Sequence, residues 1–427
     1  PDTVCIGEPV NIANTSTGAV RYEWDFCSGD LEQVPQVRPV VTISGANIPT
    51  NLTTVFDGEN WFGFFFSRDN NTLFRLDFGN DLNNTPTVVN VGAFGNPVSR
   101  PEPLAFVKEG NNWYAFTSNF SIPSNIATSK LIRLDFGTSL LNAPTIADLG
   151  NPNNSLSVVR SIRVERENGD YIMVLTNTGS GTVAIINLGS SVTNAINSAN
   201  VLVTPAFPGS NNRLISTSVI KDCDTWYGIT TSETNGKLYR LRFGTSLFSV
   251  PQITEIQASV ALSFPTLSVL LRDQNYYAIV PSELGNVYVV NFGQSMQNTP
   301  SIRNLGDFSV LSNSYGFTVA QTGSDFVGFS LGYLNRQVSR INFPSSCGVE
   351  PSTANGTNPT VTFAETGTRQ ATLKVFNASG DVNVTTRSVF VRPNLTAAFT
   401  ATNTCLGQPV AFAAPANPAG NRAVSYT

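Results

Sequence analysis

The chain has 427 residues, of which 41% are apolar and only 13% charged, with a formal net charge of −4. This profile belongs to a folded, weakly charged all-β protein, since disordered chains carry fewer apolar and more charged residues. No basic cluster stands ready for nucleic acid, and no apolar run of about 18 residues could span a membrane as a helix.

Histidine is absent. With it go the commonest general base, the commonest neutral metal ligand and any Ser-His or Cys-His pair, so no metal site or cofactor is expected. The five cysteines (Cys5, Cys27, Cys223, Cys347 and Cys405) form no CxxC pair. Isolated cysteines in a β-rich chain fit an extracellular setting with one or two disulfides. The sequence opens at Pro1 in mid-phrase and is expected to be an excerpt of a longer exported polypeptide.

In chain order, residues 1–35 contain "TVCIGEPVNIANTSTGAVRYEWDF", with alternating strand-like runs. From residue 36 the style changes. "NWFGFFFSRDNNTLFRLDFG" (60–79) returns in altered form five times, with the closing glycine or its equivalent at Gly79, Gly137, Gly189, Gly244, Gly293 and Pro344. The intervals are 58, 52, 55, 49 and 51 residues. The aromatic that opens the preceding strand keeps step: Trp61, Trp113, Tyr171, Trp226, Tyr276 and Phe326.

The second copy shows four strand-like runs most plainly: 103–110, 113–118, 130–137 and 144–150. Asn235-Gly236 between two such runs is a hairpin signal. Six units of four strands with a period near 50 describe a six-bladed β-propeller over residues 36–346. The sixth unit lacks its fourth strand, and "RPVVTISGANIP" (38–49) lines up with the fourth strand of the first unit. Residues 39–44 are therefore predicted to close the last blade, which removes an exposed edge. Proline at Val41 or Ile43 should open the ring.

After the ring, 358–391 reads as three alternating strands, so 347–393 is predicted to complete the fold begun by 1–35. The ring then interrupts a sandwich loop, where insertions are best tolerated. Residues 394–427 repeat the opening phrase, with Cys405, Gly407, Pro409 and Val410 echoing Cys5, Gly7, Pro9 and Val10. They are read as the incomplete start of a second such domain. Cys27 and Cys347 bracket the insertion and are predicted to form a disulfide across its stem, while Cys223 is expected to be a small buried residue.

The flanks resemble a PKD domain, an Ig-like β-sandwich, in "CxGxPV…YEWDF" and "NPTVTF…G…ATLKVFN…G". Where that family writes a Gly-Asp-Gly turn this chain has "CSGD", and Asp381 stands where a partner for Cys5 would be expected. The resemblance implies that Trp24 is the buried tryptophan of the sandwich. The repeat phrase itself resembles those of large PKD-containing surface proteins of Bacteroidota. Those carry type B sorting signals for the type IX secretion system and include gliding-motility adhesins. This likeness implies export to the cell surface, passing contact with the secretion machinery, neighbouring PKD-like domains as intrachain partners, and a role in adhesion or surface movement.

Arg75, Arg133, Arg240 and Arg340 share one strand position and are expected to pack between blades, satisfying carboxylates or carbonyls. Arg100, Arg160 and Arg213 precede their blades' aromatics by 13, 11 and 13 residues, with Phe264 and Tyr315 at corresponding places. These five are the candidate ligand-binding residues, suited to a glycan or surface protein through bidentate bonds and stacking. The inner hairpin loop 118–130 is a further candidate contact.

A spacer without ligand is the alternative. A sialidase-like hydrolase is the remote one: "SRDNNTLF" (67–74) matches the Asp-box of sialidases only in Ser67, Asp69 and Phe74, and no acidic partner for Tyr315 is evident. Polar turns account for the oxygen-rich "FDGEN" (56–60) without calcium. The expected protein is a non-enzymatic surface module.

Overall fold

The structure, a computed structural model, describes residues 3–26, 30–120, 129–208, 213–234, 236–256, 266–272, 275–322, 325–343, 348–378, 382–393, 400–401 and 412–413. Cys27, Cys347, Phe264, Asn235 and residues 121–128 of the inner loop lie outside them. The chain divides into two units, Leu31–Pro344 and the combination of Pro1–Asp30 with Ser345–Thr427.

The larger unit is built from six four-stranded antiparallel sheets. The first runs from Thr53–Phe56 through Trp61–Ser67 and Thr72–Gly79 to Thr87–Ala93. Four further blades follow in sequence order, with innermost strands Ala105–Glu109, Val159–Glu167, Leu214–Asp222 and Ser268–Arg272. The sixth joins Ser314–Thr322, Asp325–Gly332 and Gln337–Asn342 to Gln36–Thr42. Innermost strands of successive blades touch all the way round, the sixth meeting the first. The unit is a six-bladed β-propeller.

Each blade interface holds its own apolar cluster. Phe64 and Phe136 pack between the first two blades, for example, and Leu76 and Phe329 between the first and the last. Alternation explains this: strand residues point to opposite faces, and each sheet is covered on both faces by its neighbours.

The closing strand runs antiparallel to Gln337–Asn342, with Thr42 opposite Gln337, Val41 opposite Val338 and Pro39 opposite Ser339. It occupies 36–42 rather than 39–44. The register shift between Val338 and Ser339 leaves Val40 as the extra residue, a bulge beside Pro39, which has no N–H to give a ladder. Ile43, just beyond the strand, is fully buried and its N–H bonds the Arg336 carbonyl at 2.9 Å.

The repeated glycine has a conformational reason. Gly79, Gly137, Gly189, Gly244 and Gly293 have φ between +63° and +85°, where a side chain is strained. The turn that follows is tied back by an amide: Asn84, Asn142, Asn194 and Asn298 each donate from Nδ2 to the carbonyl six residues earlier at 2.9 Å. Asp57 in "FDGEN" accepts the N–H groups of Glu59 and Asn60 at 2.8 and 2.7 Å, which makes it a turn residue. Cys223 differs from expectation. It sits at the tip of the hairpin between Leu214–Asp222 and Thr225–Ser232, with φ +52°, and is exposed rather than buried.

The recurrent arginines act as staples from one blade to the next. Arg75 Nη1 donates to the Leu140 carbonyl at 3.2 Å, Arg133 to Val192 at 3.1 Å, Arg240 to Gln297 at 2.9 Å and Arg340 to Asn83 at 2.8 Å. Arg75 and Arg133 are also forked onto Asp77 and Asp135. The Arg340 staple joins the last blade to the first.

The smaller unit has a five-stranded sheet ordered Thr3–Cys5, Val382–Arg392, Gly367–Phe376, Arg21–Asp25 and Thr353–Ala354. A three-stranded sheet orders Pro9–Asn11, Thr360–Phe363 and Val349–Glu350. Both contribute to one apolar cluster that includes Val4, Trp24, Phe26, Val361, Phe363 and Leu373. The Trp24 indole N–H finds the Gly356 carbonyl at 2.9 Å, as a buried indole should.

Candidate functional site

Two positions of the repeat meet at one end of the ring. The first lies eleven residues before each blade's aromatic and gives Glu102, Arg160 and Tyr315. The second lies seven residues after it and gives Arg68, Phe120, Glu233, Glu283 and Tyr333. Register explains the meeting: the start of each innermost strand pairs with the end of the strand beside it, as Ser314 does with Gly332.

Glu102 is the hub. Its side chain is fully buried, and Arg68 Nη1 approaches its Oε1 at 2.8 Å while Arg160 Nε approaches its Oε2 at 3.1 Å. The Tyr315 hydroxyl donates to Glu102 Oε1 at 3.0 Å and accepts from Arg160 Nη1. Four blades thus contribute to one network. Pro101 and Pro103 hold Glu102 in extended backbone.

Phe120 covers this cluster, with the guanidinium carbons of Arg68, Arg100 and Arg160 at 5.0, 5.3 and 4.9 Å from its ring centre. Those distances are in cation–π range. Tyr333 meets Tyr315 edge-on at 5.6 Å.

Burial disfavours the charged forms of Arg68 and Arg160, but Glu102, Tyr315 and the nearby carboxylates together outweigh it and hold both more firmly protonated than usual. Burial, reinforced by the Glu102 charge, pushes the Tyr315 phenol well above its ordinary value against the pull of the arginines. Tyr315 is a donor here. Burial also raises Glu233, while Arg213 and Arg160 pull it down.

The five sequence candidates separate. Arg160 and Tyr315 lie within the network, Arg160 only 4% exposed. Arg100 is on its rim, with a side chain 38% exposed, a 3.5 Å ion pair to Asp69 and a left-handed backbone at φ +49°. Arg213 pairs with Glu233 at 3.2 Å and reaches the others only through that carboxylate. Phe264 is outside the described residues. Sequence reading missed Glu102, the acidic partner it found no sign of beside Tyr315; the constant offset of eleven would have disclosed it.

No protein-family model matches the chain, and no curated protein matches it. Among solved structures it is similar to a GH43_1 enzyme from Xanthomonas citri, with 10% identity, a TM-score of 0.43 and coverage of 64% of this chain and 95% of that one. It is also similar to a Trypanosoma rangeli sialidase solved with 2,3-difluorosialic acid, at 10% identity, TM-score 0.47 and coverage of 78% and 59%. A third is an exo-β-1,3-galactanase from Phanerochaete chrysosporium, at 13% identity, TM-score 0.40 and coverage of 66% of each. Likeness at these identities says nothing about activity.

Proposed function

We propose that this chain is a non-enzymatic cell-surface module in which the propeller is inserted into a PKD-type, Ig-like sandwich and recognises a glycan or a neighbouring surface protein. The resemblance of the flanks and of the repeat phrase supports exposure at the surface after type IX export, in adhesion or gliding. One observation carries the binding reading: Arg100, half exposed over Phe120, offers donors and an aromatic edge at the rim of a buried charged network. Within that network Arg68 and Arg160 both turn onto the buried Glu102, so the rim, not the network, meets the ligand. Such contacts are weak singly and add by avidity along a long adhesin.

A glycan array tests it. Reproducible binding by the chain, lost at least tenfold in Arg100→Ala, is the expected result, and silence across carboxylated and neutral glycans returns the ring to a ligand-free spacer.

The hydrolase reading has one observation in its favour, the Tyr315–Glu102 hydrogen bond, which has the reach of a nucleophile and its base. Turnover of a fluorogenic sialoside, abolished in Tyr315→Phe, would replace recognition by catalysis.

A further inference from the structure

Deeper in the ring, a cavity with ≈ 20 Å³ open to the centre of a water-sized sphere takes its lining from all six blades, including Asn51, Leu104, Arg163, Ser216, Thr266 and Phe317. That is room for one or two water-sized occupants. Arg163 lies on the innermost strand Val159–Glu167, whose alternate residues Ile162 and Val164 pack into the apolar cluster between the second and third blades. Strand geometry turns Arg163 to the opposite sheet face, and at this inner edge of the blade it lines the cavity together with Ser161 and Ile162.

Its guanidinium carries five N–H donors, yet its one hydrogen bond goes to the neighbouring Ile162 carbonyl at 3.3 Å, and it makes no ion pair with any described residue. Arg163 is half-buried, and a guanidinium partly withdrawn from water favours an acceptor, preferably a negative one. Glu165, two residues along the same strand face, does not serve. Burial pushes its carboxyl up to about 7 against the pull of Arg163, so near neutral pH much of it is uncharged.

The other walls of the cavity carry donors too. Thr266 is 4% exposed and its Oγ1 has no partner among the described residues. Ser216 Oγ accepts from the Leu267 N–H at 3.3 Å, which leaves its own hydrogen available. By contrast Asn51 is committed to the Arg160 carbonyl at 2.8 Å.

We propose that this cavity is a binding site for one small monovalent anion of the halide class, held by the Arg163 guanidinium and the hydroxyls of Thr266 and Ser216. Room for one or two water-sized occupants suits a halide better than a phosphate or a sugar carboxylate. The anion supplies the acceptor that the channel wall lacks and ties together blades three, four and five. This site is separate from the rim and owes nothing to the glycan reading.

Unfolding of the full chain in chloride, against gluconate at equal ionic strength, tests the proposal, because gluconate is a much larger anion than a water-sized halide. The ring's midpoint is expected about 2–4 °C higher in excess chloride, since a ligand of the folded state alone raises apparent stability. Arg163→Gln abolishes the difference. If that variant does not fold, Thr266→Val, nearly the same in shape, is expected to shrink the difference by at least half. Crystals grown in bromide should show one anomalous peak beside Arg163. Equal midpoints in the two salts, a chloride shift intact in the variants, or a cavity with no bromide overturns the site.

Discussion

At the scale of residues, the ring depends on a few polar side chains repeated at fixed offsets. Among the four recurrent arginines, Arg340 spans the junction between last and first blades, donating to the carbonyls of Asn83 and Asn84. Arg340 itself is only 2% exposed, so removing it takes a buried charged donor from both carbonyls and empties its place between the blades. Arg340→Ala should therefore cost about 1.5–3 kcal/mol, the range for hydrogen bonds to charged groups, measured by urea unfolding. The exposed Arg303→Ala should cost less than about 0.5 kcal/mol. Equal, small losses in both would remove Arg340 from the closure. The sequence placed these arginines between blades with carboxylates or carbonyls as partners, but not which carbonyls, because backbone acceptors in the next blade carry no residue signature. Glu102 was hidden for a related reason: it is separated from Tyr315 by 213 residues and meets it only after the ring closes.

At the scale of elements, strand content was legible because alternation and the repeated aromatic–FG phrase act locally. The glycines are explained by their left-handed φ values, and the Asn that ties four of the turns was in view but unread. The closing strand was legible from an alignment, although its bounds moved by about three residues at the start, because pairing with Gln337–Asn342 sets them rather than composition. Cys223 was misread since composition cannot tell a hairpin tip from a core position. Ile43 is where the closing strand can be attacked. Ile43→Pro removes the bond to the Arg336 carbonyl and disturbs a fully buried side chain, so a loss of about 3 kcal/mol or more is expected by chemical denaturation. An unfolding midpoint unchanged by that substitution would detach residue 43 from the last blade.

At the scale of the whole molecule, a propeller is a closed array in which each interface is buried by the next blade, and closure by a strand from the far end of the unit makes the last interface like the others. This geometry brings Arg68, Glu102, Arg160 and Tyr315, far apart in sequence, to one end, and encloses Arg163 in the channel. Both proposed sites exist only if the ring closes as described. The pairing of Thr42 with Gln337 tests that most directly. In the full chain carrying Cys223→Ser, Thr42→Cys and Gln337→Cys should oxidise to a disulfide, since directly opposed strand residues have Cβ atoms within about 5.5 Å. Peptide mapping without reductant should find residues 42 and 337 joined, and should not find residue 42 joined to a cysteine placed at Ser301, in the outer strand of the fifth blade. Free thiols in the first pair, or the same cross-link yield in both, would contradict closure by Gln36–Thr42.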